Sequence, residues 1–314
     1  MKSEIPHITF DTPVEDVALR YPKAVHFLTE RHVRCIRCGE PLWCSMGELF
    51  EQDGVAEPQR LLDDLNDYLR DIYAPKFSIT GHRGASGSAP ENTLAALEEA
   101  ISQGADCIEF DVQPTADGEI VIFHDDTLDR TTNGTGPLIE KRWDELKNLD
   151  AGSWFDSRFS DEKIPLFTQA IELVKGRISL NIEIKIDRLD ETFLKKLVRI
   201  VRDQGIADQC ILSSFHRPSV EFVRSLDPSL KTGFIFFEFA EPVKNILESP
   251  FEVLSSHFQL ITNDFVSRAH AQSKEVHVWT VNEPQDMAQM IDSGVDNIIT
   301  NFPGELVKIR DGGE

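Results

Sequence analysis

From Phe77 onward, short β-rich runs alternate with amphipathic helical segments, and this alternation restricts the fold more than any other feature of the chain. The runs are SITGH (78–82), CIEFDV (107–112), SLNIEIK (179–185), CILSSF (210–215), TGFIFF (232–237), FQLITN (258–263), EVHVWTV (275–281) and NIIT (297–300). A helix after each strand implies parallel pairing, because parallel strands need a crossover connection. With LFTQAIELVKG (166–176) as the second helix, the tally is eight strands and eight helices. That count predicts an α/β fold, a closed (β/α)8 TIM barrel, over an open doubly wound sheet. One apolar run, EIVIFHD (119–125), follows the second strand too closely for a parallel crossover. It reads as an excursion over 112–124 that returns His124 toward the second strand's end. The irregular stretch at about 126–165 reads as a lid-like insertion over the barrel mouth.

Before the barrel, residues 1–73 read as a small all-helical domain. Pro13 is expected at the first position of a helix through Arg20, and Pro22 opens another through Arg31. Met46–Gln52 has a helical pattern, and Leu61, Leu62, Leu65 and Leu69 form an apolar stripe for a last helix. A linker at 73–76 then leads into a barrel spanning 77–314. A length of 314 residues suits one barrel plus such a module.

The formal net charge of −22 argues against nucleic acid or an anionic membrane as the main partner, since both would be repelled. A small phosphate ester in a locally basic pocket remains compatible with it. No apolar leader and no run of 18 apolar residues occurs, so a cytoplasmic location and no membrane span are expected. Three of the five cysteines crowd at Cys35, Cys38 and Cys44. In a reducing compartment such a cluster points to redox chemistry, to metal ligation together with His32, or to idle thiols beside a helix.

The chemistry-bearing residues fall on alternate positions of the predicted strands. Glu109 and Asp111 share one face of the second strand; Asn181, Glu183 and Lys185 share one face of the third. In a barrel the opposite face packs on helices, so these charges point inward or to the mouth. Three carboxylates together require a cation or Lys185 to neutralise them, and an all-oxygen donor set selects Mg2+, Ca2+ or Mn2+ over zinc. The alternative is a half-exposed sheet whose polar residues face water. His82 and Arg83 end the first strand and His124 ends the excursion, converging on the mouth where barrel enzymes place their sites. Two histidines flanking one phosphorus can serve as general base and general acid, with Arg83 and Lys185 holding the phosphoryl oxygens. Taken singly, either histidine reads as structural; the acid–base reading rests on the set.

HRG-x-SG-x-APENT (82–93), EFDV (109–112), VIFHDDTLDRTTNGTG (121–136), DAGSWF (150–155), IEIK (182–185), VWTVN (278–282) and GVDNIITNFP (294–303) stand in order along the chain. In these motifs the chain resembles the glycerophosphodiester phosphodiesterase family. The resemblance implies a (β/α)8 barrel that hydrolyses small glycerophosphodiesters to glycerol 3-phosphate and an alcohol. It implies that Glu109, Asp111 and Glu183 bind the metal, that His82 and His124 form the acid–base pair, and that Arg83 and Lys185 contact phosphate. Glu91 and Asn92 would brace the site, and Trp279 and Phe215 either wall it on the substrate side or belong to the core. The chain departs from the family pattern at Asn297 and Asn301, where the family often has Gly and Asp. Two rival readings are a lysophospholipase D-like hydrolase and a redox-responsive regulator that only binds a phosphodiester. DTPVEDVALRYPKAVHFL, the Cys35–Cys38 pair and the MGELFEQDGV…LLDDLNDYL ending resemble a redox-disulfide domain associated with hybrid-cluster proteins. Oligomeric state is not legible from the sequence.

Overall fold

The computed structural model describes residues 7–37, 39–73, 76–238 and 243–311. The chain divides into two compact units, Met1–Pro75 and Lys76–Glu314.

The first unit holds helices α1 (Val14–Arg20), α2 (Pro22–Glu30), α3 (Met46–Gln52) and α4 (Pro58–Tyr73). Its core gathers Val14, Val17, Phe27, Leu28, Leu49, Leu65 and Leu69, the last two from the apolar stripe seen in the sequence. Ser45 opens α3 with a reciprocal capping box: its side chain accepts from the Glu48 amide, and its own amide donates to the Glu48 carboxylate. Two expectations are corrected. Pro13 is the extended N-cap residue of α1 and not its first helical residue. The unit is also not all-helical, because β1 (Ile36–Arg37) and β2 (Glu40–Pro41) form a small antiparallel hairpin. Two-residue strands are too short to leave an alternation in the sequence. Asp53 anchors this hairpin by accepting from the Arg34 amide and the Arg37 guanidinium.

In the second unit, β3 (Ser78–Gly81), β4 (Cys107–Pro114), β6 (Ser179–Ile184), β7 (Cys210–Ser214), β8 (Lys231–Phe236), β9 (Val253–His257), β10 (Glu275–Trp279) and β11 (Asn297–Thr300) pair in parallel. The pairing of β11 with β3 closes them into an eight-stranded barrel. Helices α5 (Leu94–Ser102), α7 (Phe167–Val174), α8 (Glu191–Asp203), α9 (Arg217–Leu226), α10 (Val243–Leu247), α11 (Asn263–His270), α12 (Pro284–Asp292) and α13 (Pro303–Asp311) follow the strands. The outward strand faces pack on these helices: Ile108, Phe110, Ile182, Ile184 and Leu212 on one side, Ile79, Leu254, Val276 and Ile298 on the other. Fully burying each such side chain contributes about 1.5–3 kcal/mol. The opposite faces must therefore point into the barrel, and that is what places the polar residues there.

The sixth barrel strand lies at Val253–His257, earlier than the FQLITN run, where Phe258–Leu260 form a 3-10 turn. Ser255 and Ser256 make this strand look weak in sequence, yet both are buried. The excursion is a hairpin: β5 (Ile120–Ile122) pairs antiparallel with the end of β4. The following insertion, which includes the short helix α6 (Trp143–Leu146), builds its own core from Leu128, Leu138, Leu146 and Ile164 against Val121 and Phe123 of the hairpin.

Candidate active site

The C-terminal ends of the strands open on a cavity of about 130 Å3, lined among others by His82, Arg83, Glu109, His124, Glu183, Lys185 and Trp279. Glu109 and Asp111 come from the inner face of β4, Glu183 from that of β6, and Asp111 pairs in register with Glu183. One ligand oxygen from each of the three carboxylates lies within 4.8 Å of the others. All three residues are buried, and burial together with the charges of its neighbours raises the Glu109 carboxyl well above its ordinary range. Glu183 is pushed up to about 7, first by burial and then by Asp111, with Lys185 opposing. Among the described residues, the Asp111 Oδ1 atom is buried without a hydrogen-bond donor. Such a triad fits a hard divalent cation, which would replace the missing donor and relieve the repulsion.

Two cations face the triad. Lys185 Nζ donates to Glu183 Oε1 at 2.6 Å and lies 3.7 Å from Asp111 Oδ1. Arg83 Nε lies 3.5 Å from Asp111 Oδ2, and Arg83 Nη1 donates to Glu91 Oε1 at 2.7 Å. Arg83 has a left-handed backbone, φ 53°, and its amide donates to Glu109 Oε2 at 2.8 Å. The next residue, Gly84, has φ +80°, and a Cβ there would meet the Ala96 backbone at 2.4 Å. The His-Arg-Gly sequence is thus a turn that only glycine can complete. Asn92 donates from its side chain to Asp111 Oδ2 at 2.8 Å, so Glu91 and Asn92 each hold one charged residue of the site.

The two histidines are held differently. His82 Nδ1 lies 2.7 Å from Asn301 Oδ1, an amide oxygen that also accepts from Ser86 Oγ. His124 Nδ1 lies 2.6 Å from the Asp125 carboxylate. With each Nδ1–H donated to its oxygen, both Nε2 atoms are left for chemistry. Burial and the Arg83 charge depress His82 to about 4. Burial also lowers His124, against the opposing effects of Asp111 and Asp125.

The aromatic residues form a wall. Phe215 stacks edge-on against Trp279 at 5.5 Å between ring centroids and lies 6.1 Å from Phe237. Trp279 and Phe215 both line the cavity, so neither is sealed in the core. Sequence reasoning passed over Asp125, Arg130 and Ser255. Asp125 and Arg130 stand inside the HDDTLDR stretch without a strand pattern to give them a direction. Asn301, noted only as a departure, is the partner of His82, while Asn297 bonds Thr80 and Ser78 inside the barrel.

Of the three clustered cysteines, Cys35 is buried in the core of the small unit and Cys44 packs against that core, both as free thiols. Cys38 lies outside the described residues. Burial pushes the Cys35 thiol up to about 11 and raises Cys44 as well. Among the described residues, Cys35, Cys44 and His32 do not assemble into a group of three potential metal ligands. Cys107 and Cys210 are buried in the barrel, their thiols pushed up to about 12 by burial. Also among the described residues, no helix is long and apolar enough to cross a membrane.

Residues 82–305 match the glycerophosphoryl diester phosphodiesterase family. A glycerophosphodiester phosphodiesterase of Caldanaerobacter subterraneus subsp. tengcongensis is 37% identical over 242 residues, 76% of this chain and 100% of that one. One from Bacillus altitudinis is 34% identical over 239 residues, 74% of this chain and 98% of its own. Among solved structures, an Oleispira antarctica phosphodiesterase in complex with the product sn-glycerol-3-phosphate superposes with a TM-score of 0.72. It is 31% identical and covers 77% of this chain and 99% of that one. The eight-stranded barrel and the family motifs agree, and the chain belongs to the glycerophosphoryl diester phosphodiesterase family.

Proposed function

We propose that the chain hydrolyses glycerophosphodiesters to glycerol 3-phosphate and an alcohol, with a divalent cation held by Glu109, Asp111 and Glu183. The observation that carries this reading is the buried triad of carboxylates, two of which, Glu109 and Glu183, line one cavity with Arg83, Lys185 and the two histidines. Ionised, the three carboxylates give the site a negative character, a poor environment for a phosphodiester anion, and burial with their mutual repulsion already raises Glu109 and Glu183. Mg2+, Ca2+ or Mn2+, when bound, would reverse that sign, polarise a phosphoryl oxygen and acidify a nearby hydroxyl.

The protein's own groups supply the rest. Arg83 and Lys185 hold the phosphoryl oxygens as charge accumulates on them. His82, neutral and with its Nδ1 proton on Asn301, takes the proton of the glycerol 2-hydroxyl at Nε2 as that oxygen attacks phosphorus. The bond from phosphorus to the alcohol oxygen breaks, and His124, entering this step as the imidazolium that the Asp125 carboxylate stabilises, gives that oxygen its Nε2 proton. The cyclic phosphodiester is then opened by water: His124 takes the water's proton, and His82 returns its own to the 2-oxygen. Neighbouring histidines with different partners suit different roles, by the same logic that separates paired carboxylates.

The aromatic series Phe237, Phe215 and Trp279 favours a second reading, in which the glycerol carries an apolar acyl chain as in a lysophospholipase D substrate. A metal-supplemented screen separates the two. Turnover of glycerophosphocholine-type diesters, with lysophospholipids slow, supports the first; the reverse order supports the second. Binding without turnover of either class would leave a phosphodiester-binding regulator.

A further inference from the structure

Arg130 lies in the insertion, two residues after the buried Leu128, and it is half-exposed. Its Nε donates to Asp125 Oδ2 at 2.7 Å and its Nη2 to Asp125 Oδ1 at 2.9 Å. Its Nη1 donates to Glu91 Oε2 at 2.8 Å, and Nη2 also reaches Glu91 Oε1 at 2.7 Å. One guanidinium is therefore bidentate to two carboxylates at once. Each carboxylate also holds a residue of the cavity: Asp125 holds His124 Nδ1, and Glu91 accepts from Arg83 Nη1.

We propose that Arg130 is a positioning residue of the reaction, joining the His124–Asp125 pair to the Arg83–Glu91 pair so that a proton-carrying group and a phosphate-holding cation keep a fixed separation. The inference rests on the phosphodiesterase reading above. Arg130 does not line the cavity, so it acts only through its two partners. Planar forked donors match two carboxylates in a way that a lysine point charge cannot. Burial would raise the Glu91 carboxyl, yet the Arg130 hydrogen bonds and the Arg83 charge bring it down to about 2, so both ends of the bridge stay ionised. Arg130 is half-exposed, and without it Glu91 keeps Arg83 and Asp125 keeps His124 as partners, so neither carboxylate is left unpaired and the effect of losing Arg130 falls on geometry more than on the fold. Arg83 keeps Glu91 and Asp111 as partners without it, whereas Asp125 loses its second anchor. The loss therefore belongs in kcat more than in KM.

The test compares full-length wild type, Arg130→Ala and Arg130→Lys on glycerophosphocholine with added divalent metal, alongside thermal midpoints. Both variants should lose about a hundredfold in kcat, the scale of an ångström-sized misplacement. KM should change much less, and midpoints should stay near wild type. Methylguanidinium should partly restore Arg130→Ala but not Arg130→Lys. Near-normal kcat in Arg130→Ala or full activity in Arg130→Lys would overturn the positioning role. Unfolding of both variants would do so too, because Arg130 would then be a residue of the fold. A wild-type chain with no turnover removes the phosphodiesterase reading and this inference with it; an active wild type with unimpaired variants removes this inference alone.

Discussion

Asp111 and Glu183 are register partners on the neighbouring parallel strands β4 and β6, so their carboxylates project side by side into the barrel. Glu109, two residues back on β4, completes a cluster that is costly without a cation. Replacing Glu109 or Glu183 with Gln removes a ligand charge while keeping the shape. Each variant should lose turnover and divalent-metal affinity together. Calorimetric titration of metal beside an activity assay checks this, and a variant that keeps both would disqualify that residue as a ligand.

Proton linkage gives a second handle on the same cluster. Burial and like charge raise Glu109 and bring Glu183 up to about 7 in the metal-free protein. A raised carboxyl holds its proton below that pH, and a cation must displace it. Metal affinity should therefore rise as pH increases through about 7, with proton release on binding. Titration in buffers of different ionisation enthalpy reads the protons released. A pH-independent affinity between 6 and 8 would contradict the coupling.

The histidines are predicted to matter through kcat. His82→Ala and His124→Ala should each lower it by about two to four orders of magnitude, the scale of a positioned proton carrier. Both side chains face the cavity at the strand ends, so thermal midpoints should change little. A variant with near-normal kcat would reassign that histidine to structure.

The barrel was legible because its strands alternate cleanly: Ile108, Phe110, Ile182 and Ile184 mark the helix-facing side, and Glu109, Asp111 and Glu183 the inner one. The strand at Val253–His257 was not, because its buried positions include two serines and its apolar neighbours lie just beyond it. The hairpin of the small unit is only two residues per strand, shorter than any period can register. Arg130 and Asn301 were missed as partners for a different reason. Their contacts, to Glu91 39 positions away and to His82 219 positions away, are made by loops and not by a strand face.

A separable barrel is the fourth expectation. Each unit has its own buried core, and the proposed catalytic residues all lie between His82 and Lys185. A chain beginning at Tyr73 should fold and turn over substrate, and Cys35→Ser/Cys38→Ser in the full chain should leave the chemistry in place. Any effect of oxidising the cysteines would then be coupling, on a usual scale of about 1–3 kcal/mol. Comparing kcat/KM for these chains, reduced and oxidised, checks it. A folded but inactive shorter chain would mean that the small unit completes the site.

The central claim is tested most directly by following phosphorus NMR of glycerophosphocholine with the full-length protein, first with Mg2+, Ca2+ or Mn2+ and then in excess chelator. The account predicts glycerol 3-phosphate and unphosphorylated choline with metal, no turnover in chelator, and recovery when metal is restored. Phosphocholine and free glycerol as products, or full activity in chelator with no metal left in the protein, would contradict it.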